Sequence, residues 1–247
     1  MKFWFLAKGV NLVHIYNLLI FIPARGGSKG IHNKNLQLVG GRSLLDRVIC
    51  TGLESIQLLK LDSNIVVSTQ DELIANEARK FGAEVHQRPS ELCLDTSTTE
   101  EALLHFLQTN FTQSQRKLTI VAMLQCTSPF TSSLDIAKGV NLLFQGYDSV
   151  FLGQENHFWL YSEDYVTGDF HPVGHQLDHR PSRQEVHSKV HETGAGYIFN
   201  AEDFFIKKFR IFGRVTVVKT GLAESIDIDE PSDLEFANIV ASGLKNK

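Results

Sequence analysis

A glycine-rich loop with several basic residues is the segment best suited to chemistry. Positions 24–30 read Ala-Arg-Gly-Gly-Ser-Lys-Gly, which is neither a Walker loop nor a GxGxxG turn. The glycines let backbone N–H groups approach an anion closely, and Ser28 adds a hydroxyl donor. Arg25, Lys29 and Lys34 bring three positive charges to the same stretch. An ordinary solvated turn needs none of these cations, so we predict that the loop binds a phosphate chain.

Two carboxylates near the other end of the chain could complement such a loop. Asp227 and Asp229 are one residue apart, so an extended segment would direct both to the same face. Paired carboxylate oxygens suit Mg²⁺ that bridges phosphates. Taken alone, the pair fits better as a solvated strand end in which Asp229 caps a helix predicted from Pro231. In the company of the phosphate loop, the pair favours a metal site.

Other polar segments fall where loops are expected, and each has a plain structural alternative. The turn 95–99 is rich in Ser and Thr, which commonly cap a helix but could also contact a base. Gln125 follows an apolar run and would lie at the same sheet edge as the loop. The basic segment 180–184 suits a carboxylate, although its spacing alone fits a solvated loop equally well.

Composition excludes several classes of protein. The chain has 247 residues, 43% of them hydrophobic, which is enough for one large domain. A net charge of -4 and a pI near 6.2 argue against nucleic-acid binding. The three cysteines have no metal-ligand spacing, and we expect free buried thiols. Six of the ten histidines crowd one region: His157, His171, His175, His179, His187 and His191. Some are four residues apart, but none of these pairs lies on a predicted helix with a Glu base beside it, which indicates loop histidines rather than a metal site.

Short apolar runs alternate with helical patterns along the chain, which predicts an α/β fold with a mostly parallel sheet covered on both faces. The predicted strands are 18–22, 64–69, 118–124, 149–152, 196–199 and 215–218. The predicted helices are 43–53, 72–81, 98–107, 133–144 and 231–240. Residues 155–192 interrupt this rhythm and are interpreted as an inserted arm or lid.

The first residues are ambiguous. Residues 1–17 are apolar-rich and form an extension that could target or anchor the chain, and contact with a membrane is expected only in that case. The apolar stretch continues through the predicted strand to Ile22, and cleavage after it would remove that first strand, which disfavours a cleaved signal peptide. Residues 18–247 would form the catalytic domain. Asn110-Phe111-Thr112 is a glycosylation sequon, usable in the secretory pathway.

Several motifs together resemble those of the CMP-N-acylneuraminate (sialic acid) cytidylyltransferases over roughly residues 18–240. The motifs are Ala24-Arg25-Gly26-Gly27-Ser28-Lys29-Gly30 with Lys34-Asn35, Val67-Ser68-Thr69, Arg88-Pro89-Ser90-Glu91-Leu92, Leu124-Gln125-Cys126-Thr127-Ser128-Pro129 and Ser225-Ile226-Asp227-Ile228-Asp229. The resemblance implies a Rossmann-like α/β domain with a dimerisation arm. It implies transfer of CMP from CTP to the anomeric hydroxyl of an acidic nine-carbon sugar, with Mg²⁺ as cofactor and a homodimer formed through the arm.

The resemblance also implies roles for individual residues. Lys34 and Arg25 would be catalytic, with Lys34 stabilising charge at the α-phosphorus. Nucleotide binding would involve Arg25, Ser28, Lys34, Asn35, Arg88 and Ser97. The sugar acid would contact Gln125, Arg183 and Gln184, and the metal would bind Asp227 and Asp229.

Some alternatives stay open at this point. Cys126 stands where the family usually has proline, which resembles variation at a position that does not contact the substrates. The acceptor could be another nonulosonate such as KDN or legionaminate. An enzyme for the eight-carbon acid KDO is disfavoured, because the KDO enzymes lack the Ser-Lys-Gly…Lys-Asn string. A silent nucleotide- or sugar-binding regulator is also disfavoured, because it would not need to keep the charged residues present here. The apolar start, the sequon and the lack of a basic nuclear-targeting cluster favour the Golgi or secretory pathway, with the cytoplasm as the alternative.

Overall fold

A computed structural model of the chain describes residues 15–177 and 189–245. Its strands are β1 (Asn17–Pro23), β2 (Leu38–Val39), β3 (Arg42–Ser43), β4 (Asp62–Thr69), β5 (Glu84–Gln87), β6 (Thr119–Leu124), β7 (Ser149–Asn156), β8 (Leu160–Glu163), β9 (Phe170–Val173), β10 (Lys189–Asn200) and β11 (Val215–Thr220). Its α-helices are α1 (Leu44–Leu59), α2 (Glu72–Lys80), α3 (Thr99–Asn110), α4 (Gln113–Lys117), α5 (Ser133–Phe144), α6 (Ala201–Lys207) and α7 (Pro231–Lys245). Short 3₁₀ helices cover Lys34–Leu36, Ser90–Leu92 and Ala223–Ser225.

Seven strands form the central sheet in the order β11-β7-β10-β6-β1-β4-β5. Strand β1 pairs in parallel with β4 and β6, β4 with β5, and β7 with β11. Strand β10 alone among these seven runs antiparallel to its neighbours, β6 and β7. The predicted mostly parallel α/β fold with helices on both faces is therefore confirmed.

Strand β1 shows why its sequence is a continuous apolar run. Leu18, Ile20 and Ile22 pack into the core on the side of α1. Leu19 and Phe21 pack into a second core, which contains residues of α3 and α6. Since successive side chains of a strand point to opposite faces, a strand covered on both faces needs apolar residues at every position.

Polar caps start the helices that flank the site. The Ser43 hydroxyl accepts a hydrogen bond from the backbone N–H of Asp46 at 3.0 Å, as its predicted capping role requires. Asp71 caps α2 through the N–H groups of Leu73 and Ile74. Thr98 begins α3 with a capping box completed by Glu101. The turn 95–99 therefore does include a helix cap.

The arm begins farther from the sheet than the sequence pattern predicts. Strands β7 and β10 continue their pairing out to Asn156 and Lys189, so the outer residues of the predicted interval 155–192 belong to the sheet. The described part of the arm contains the antiparallel hairpin β8–β9. Residues 178–188, with His179, Arg183, Gln184 and His187, lie outside the described residues, as do residues 1–14.

Within residues 15–177 and 189–245, no helix is both long enough and apolar enough to cross a bilayer.

Candidate active site

The predicted site residues collect at one edge of the sheet. The glycine-rich loop follows β1, Arg88 follows β5, and Gln125 follows β6. Because these strands are parallel, their carboxyl ends meet at the same edge, where open α/β sheets bind ligands. The segment Ile226–Asp229 joins them, since the N–H of Ile228 donates to the carbonyl of Thr127 at 2.9 Å.

The glycines of the loop are required by close approaches on two sides. A Cβ on Gly26 would lie 2.6 Å from a carboxylate oxygen of Asp71. A Cβ on Gly30 would clash with the backbone carbonyl oxygen of Asp229. Gly27 has φ near 75°, a left-handed conformation that side chains rarely adopt. The loop is therefore held against the carboxylate segment by its own backbone.

Two cations of the loop share one carboxylate. Arg25 Nη1 lies 3.0 Å from Asp95 Oδ1, and Lys29 Nζ lies 2.6 Å from Asp95 Oδ2. Hydrogen bonds from Lys29 and then from Arg25 lower the pKa of Asp95. Asp95 therefore holds both cations, and a bound phosphate chain would have to compete with it for them.

Lys34 connects the loop to the carboxylate pair. Its Nζ donates to Asp229 Oδ1 and to the carbonyl of Ile228, both at 2.9 Å. The Lys34 side chain is 14% exposed, whereas that of Asp229 is 74% exposed. Asn35 is buried and donates through Nδ2 to the carbonyl of Arg25 at 2.9 Å. In this structure, the Asn35 side chain thus holds the backbone of the glycine-rich loop in place.

The two aspartates lie on one side of their segment, although it is not part of a strand. Ile228 between them is buried, while both aspartates are exposed. Loss of water around the Asp227 carboxyl group raises its pKa, and the nearby charge of Asp229 raises it further. A hydrogen bond with Thr127 opposes this shift. The Asp229 carboxylate bonds to Lys34, and Asp233 accepts from the N–H groups of Asp229 and Glu230 at the start of α7. The helix-capping carboxylate of this turn is therefore that of Asp233.

Arg88 is the most deeply buried cation of the site. It is 4% exposed, and burial lowers the pKa of its guanidinium. Its Nε donates to Ser68 Oγ at 3.1 Å and its Nη2 donates to the Ser68 carbonyl at 2.9 Å. The guanidinium also interacts electrostatically with Arg25 and Cys93. Burying a cation beside a second arginine is costly, and a bound anion would lower that cost.

The remaining predicted residues differ in how directly they reach the site. The Ser97 hydroxyl donates to the Glu91 carbonyl at 3.2 Å, so in this structure it supports the loop that carries Asp95. Ser28 is half-buried within the glycine-rich loop. The half-buried Gln125 donates its backbone N–H to Ala195 of β10 at 3.2 Å. The structure describes neither Arg183 nor Gln184.

Two contributors to the site were not among the predicted site residues. Asp95 belongs to a turn whose sequence indicates a helix cap or a base contact. Its position shortly after Arg88 is the sequence feature that could have identified it as a site residue. Thr127 lies in the segment after β6 and bonds Asp227. Cys126 is buried, and burial raises the pKa of its thiol to about 12, consistent with a residue that packs rather than binds.

Comparisons with known proteins place this geometry in a family. Residues 19–205 match the family model described as Cytidylyltransferase. N-acylneuraminate cytidylyltransferase A of Danio rerio is 30% identical over 91% of this chain and 50% of its own length. The N-acylneuraminate cytidylyltransferase of Escherichia coli O18:K1:H7 is 30% identical over 93% of this chain and 53% of its own length. The chain thus spans about half the length of these relatives.

Solved structures show the same fold at low identity. A CMP:2-keto-3-deoxy-manno-octonic acid synthetase complexed with CTP aligns with TM-score 0.66 and 14% identity, over 92% of this chain and 99% of the other. A 4-diphosphocytidyl-2C-methyl-D-erythritol synthase of Anaerococcus prevotii aligns with TM-score 0.63 and 16% identity, over the same shares. The family match, which covers most of the chain, confirms the resemblance found in its motifs: this chain belongs to the cytidylyltransferase family.

Proposed function

We propose that this chain transfers CMP from CTP to the anomeric hydroxyl of an N-acylneuraminate, releasing pyrophosphate. The observation that carries the proposal is the placement of Lys34 between the glycine-rich loop and Asp229. The cations proposed to bind phosphate and the carboxylates proposed to bind the metal thus lie at one sheet edge, which supports the proposal. The N-acylneuraminate cytidylyltransferases similar to this chain support the choice of sugar.

The reaction requires positioning and charge neutralisation more than covalent chemistry from the protein. The hydroxyl oxygen of the sugar forms a bond to the α-phosphorus as it loses its proton. The bond from the α-phosphorus to the oxygen it shares with the β-phosphate breaks, and pyrophosphate leaves. Arg25 and Arg88 would bind the phosphates, and the ammonium group of Lys34 would stabilise the charge that develops on the α-phosphoryl oxygens.

The nucleotide and the sugar would contact different parts of the edge. Ser28 and backbone N–H groups of the loop would donate to the phosphates, while Asn35 and Ser97 would bind near the cytidine. Gln125 would lie on the side of β10, which is where the sugar acid would bind. Arg183 and Gln184 are proposed as further sugar contacts from the sequence motif.

Asp227 and Asp229 fit a Mg²⁺ ion by the chemistry of their donors. Their mutual repulsion contributes to the raised pKa of Asp227, and a divalent cation would relieve it. The described residues hold no group of three or more His, Cys, Asp or Glu side chains arranged for a metal ion, so phosphate oxygens and water would supply the other ligands. The ion would neutralise charge on the phosphates.

Asp229→Asn tests the role of the carboxylate pair as metal ligands. It removes one charged ligand, so we expect a strongly raised Mg²⁺ concentration for half-maximal activity. Asp233→Asn is the matched control, since it changes a carboxylate at the start of α7 that bonds only backbone N–H groups in this structure. An unchanged metal titration for Asp229→Asn would assign that residue a purely structural role.

We also propose a homodimer formed through the arm. The hairpin β8–β9 exposes apolar side chains on a thin element that lacks a core of its own, with Leu160 46%, Tyr161 49%, Phe170 61% and Val173 45% exposed. Apolar surface of this kind is typical of protein interfaces. Sedimentation velocity should give a dimer for the native chain and a monomer for Phe170→Asp; a monomeric native chain would reject the dimer.

For the compartment, we propose the secretory pathway, with the cytoplasm as the alternative. The apolar first residues and the sequon support it. Asn110 is exposed at the end of α3, where its Nδ2 donates to the Phe106 carbonyl at 2.9 Å. The same Nδ2 donates to Thr109 Oγ1 at 2.8 Å, and because glycosylation replaces one of its two protons, one of these two bonds would be lost. A mobility shift on endoglycosidase treatment would support the proposal, and a cytosolic protein without a shift would overturn it.

Release of pyrophosphate from CTP tests the function itself. The assay uses the chain with CTP, Mg²⁺ and, in separate reactions, N-acetylneuraminate, KDN, legionaminate and KDO. The proposal expects the highest kcat/KM with N-acetylneuraminate. A clear preference for another acid would reassign the sugar, and binding of CTP without turnover on any acid would favour a nucleotide-binding regulator.

A further inference from the structure

A chain of hydrogen bonds runs from the buried guanidinium of Arg88 to helix α3. Arg88 Nε bonds Ser68 Oγ at 3.1 Å, and Ser68 Oγ lies 2.9 Å from His86 Nδ1. His86 Nε2 in turn lies 3.0 Å from His105 Nδ1. We call Ser68, His86 and His105 the histidine relay. None of the three has a part in the proposed reaction so far.

The sheet itself places the relay. Ser68 of β4 and His86 of β5 are direct partners in the parallel register, so their side chains leave the same face. Arg88 follows His86 by two residues, and its N–H bonds the Thr69 carbonyl, which keeps this part of the chain extended. Helix α3 packs on this face and brings His105 against His86, with ring centroids 5.2 Å apart.

One assignment of the protons gives the Ser68 hydroxyl and the His86 ring each an acceptor for its own proton. The guanidinium can only donate, so Ser68 Oγ accepts from Arg88 and its own proton is free to go to His86 Nδ1. His86 then carries its proton on Nε2 and donates to His105 Nδ1. Both imidazoles are neutral in this arrangement. The pKa of His86 agrees with a neutral ring, because burial, His105 and Arg88 lower it to about 4.

We propose that the histidine relay is a positioning device that holds Arg88 in the orientation needed to bind the phosphates of CTP. The inference rests on the proposed function, since it gives the guanidinium a nucleotide to bind. Both hydrogen bonds of Arg88 that can orient its side chain end on Ser68. While His86 accepts its proton, the Ser68 hydroxyl keeps an orientation in which it accepts from Arg88 Nε.

Because Arg88 is buried, the orientation of its guanidinium determines where an anion can bind to it. In the described part of the chain, no carboxylate forms an ion pair with Arg88, while Arg25 repels it. A guanidinium in this setting has no competing counter-ion to align it. Its remaining N–H groups are directed by the bonds to Ser68 and by the ligand. Weakening the relay should therefore weaken CTP binding first and leave the sugar site alone.

Substitutions at His86 separate the relay from simple packing. His86→Phe keeps a ring next to Phe106, where the centroids are now 5.2 Å apart, but it removes the acceptor for Ser68. His86→Asn keeps an acceptor near the position of Nδ1. Phe106→Leu is the matched control, because it disturbs the same aromatic cluster and the packing against the His86 ring but leaves every hydrogen-bonding group of the relay in place.

Calorimetry with CTP and steady-state kinetics supply the readout. We expect His86→Phe to raise the Kd and KM for CTP about tenfold, with a change below about threefold in kcat and in the KM for the sugar, by analogy with loss of one hydrogen bond. His86→Asn should restore most of the affinity for CTP. Phe106→Leu should lower the melting temperature and leave the KM for CTP within about twofold of wild type.

The ¹⁵N chemical shifts of the imidazoles give a second readout that does not depend on activity. The relay requires His86 to carry its proton on Nε2 and to accept on Nδ1. A proton on Nδ1 of His86 would overturn the relay. So would equal effects of His86→Phe and Phe106→Leu on the KM for CTP. A wild-type chain that fails to bind CTP in the calorimeter would instead reject the proposed function, which keeps the two failures distinct.

Discussion

Replacement of Lys34 by alanine is the perturbation with the clearest expected separation between catalysis and folding. The Lys34 ammonium is held by two bonds, to Asp229 and to the Ile228 carbonyl. Asp229 is 74% exposed, so Lys34→Ala leaves its charge in water rather than buried. Loss of such a half-exposed pair costs about 0–1 kcal/mol of unfolding free energy. For a domain of this size, that shifts the melting temperature by at most about 2–4 °C.

The effect on turnover should be far larger. Removal of one preorganised donor to charge that develops in a transition state typically costs about 10²–10³ in kcat, or about 2.7–4 kcal/mol. The assay is pyrophosphate release at saturating CTP and sugar, with melting temperatures measured in parallel. Lys29→Ala is the matched control: its side chain is 77% exposed and bonds Asp95, so kcat should stay within about threefold of wild type. If Lys34→Ala also stayed within threefold, Lys34 would have no catalytic role.

Three further changes follow from contacts at the site. Asp95→Asn removes the competitor for Arg25 and Lys29, so the KM for CTP should fall a few-fold at low ionic strength; a raised KM would make Asp95 a supporting residue instead. Gly30→Ala forces the loop away from the Asp229 carbonyl and should cost about 1–3 kcal/mol of unfolding free energy and most activity. Gly243→Ala, with open space around its Cβ position, should be neutral or slightly stabilising. Equal effects of the two substitutions would refute the contact. Folding lowers the pKa of His86 from 6.5 to about 4, so the unfolded chain binds that proton more tightly. The titration of His86 therefore leaves the unfolding free energy of the chain unchanged above pH 6.5 and lowers it by up to about 1.4 kcal/mol per pH unit between pH 6.5 and pH 4. Denaturant unfolding of wild type and of His86→Asn at pH 7 and pH 5 measures this loss, which should be larger for wild type. An equal loss of unfolding free energy in the two proteins would contradict the prediction.

The predictable part of the fold was the part with long apolar patterns. Strand β1 and helix α5 match their predicted positions, because continuous burial or one-sided burial leaves a clear period in the sequence. Helix α1 begins within one residue of its predicted start but extends to Leu59, six residues beyond the predicted end at residue 53. Short elements were missed: β5 has four residues, α4 has five, and α6 has seven. Elements of this length contain too few residues to show a period, and their partners elsewhere in the chain determine them.

The antiparallel direction of β10 was not predicted. Its apolar run Gly196–Phe199 is the same in either direction, because a strand buried on both faces has no pattern that reports orientation. Its direction depends on the path of the arm, which returns the chain to the sheet from the edge that holds the site. Sequence patterns do not record such a path.

In the site, motif residues were predictable and their partners were not. Arg25, Lys34 and Asp229 could be named from their types and spacing. The pairing of Lys34 with Asp229 joins residues 195 positions apart, and that of Arg25 with Asp95 joins residues 70 apart. Such pairs depend on how parallel strands bring their carboxyl ends together. The contact of His86 with His105 likewise follows from strand register and helix packing, neither of which can be derived from composition.

The most direct test of the central claim is ³¹P NMR of the chain incubated with CTP, Mg²⁺ and N-acetylneuraminate. Transfer of CMP predicts that the three CTP resonances are replaced by one phosphodiester resonance, from the CMP–sugar, and one pyrophosphate resonance in equal molar amounts. The same spectrum should stay unchanged without the sugar. Persistence of CTP with the sugar present, in a folded protein that binds the nucleotide, would contradict the proposed activity.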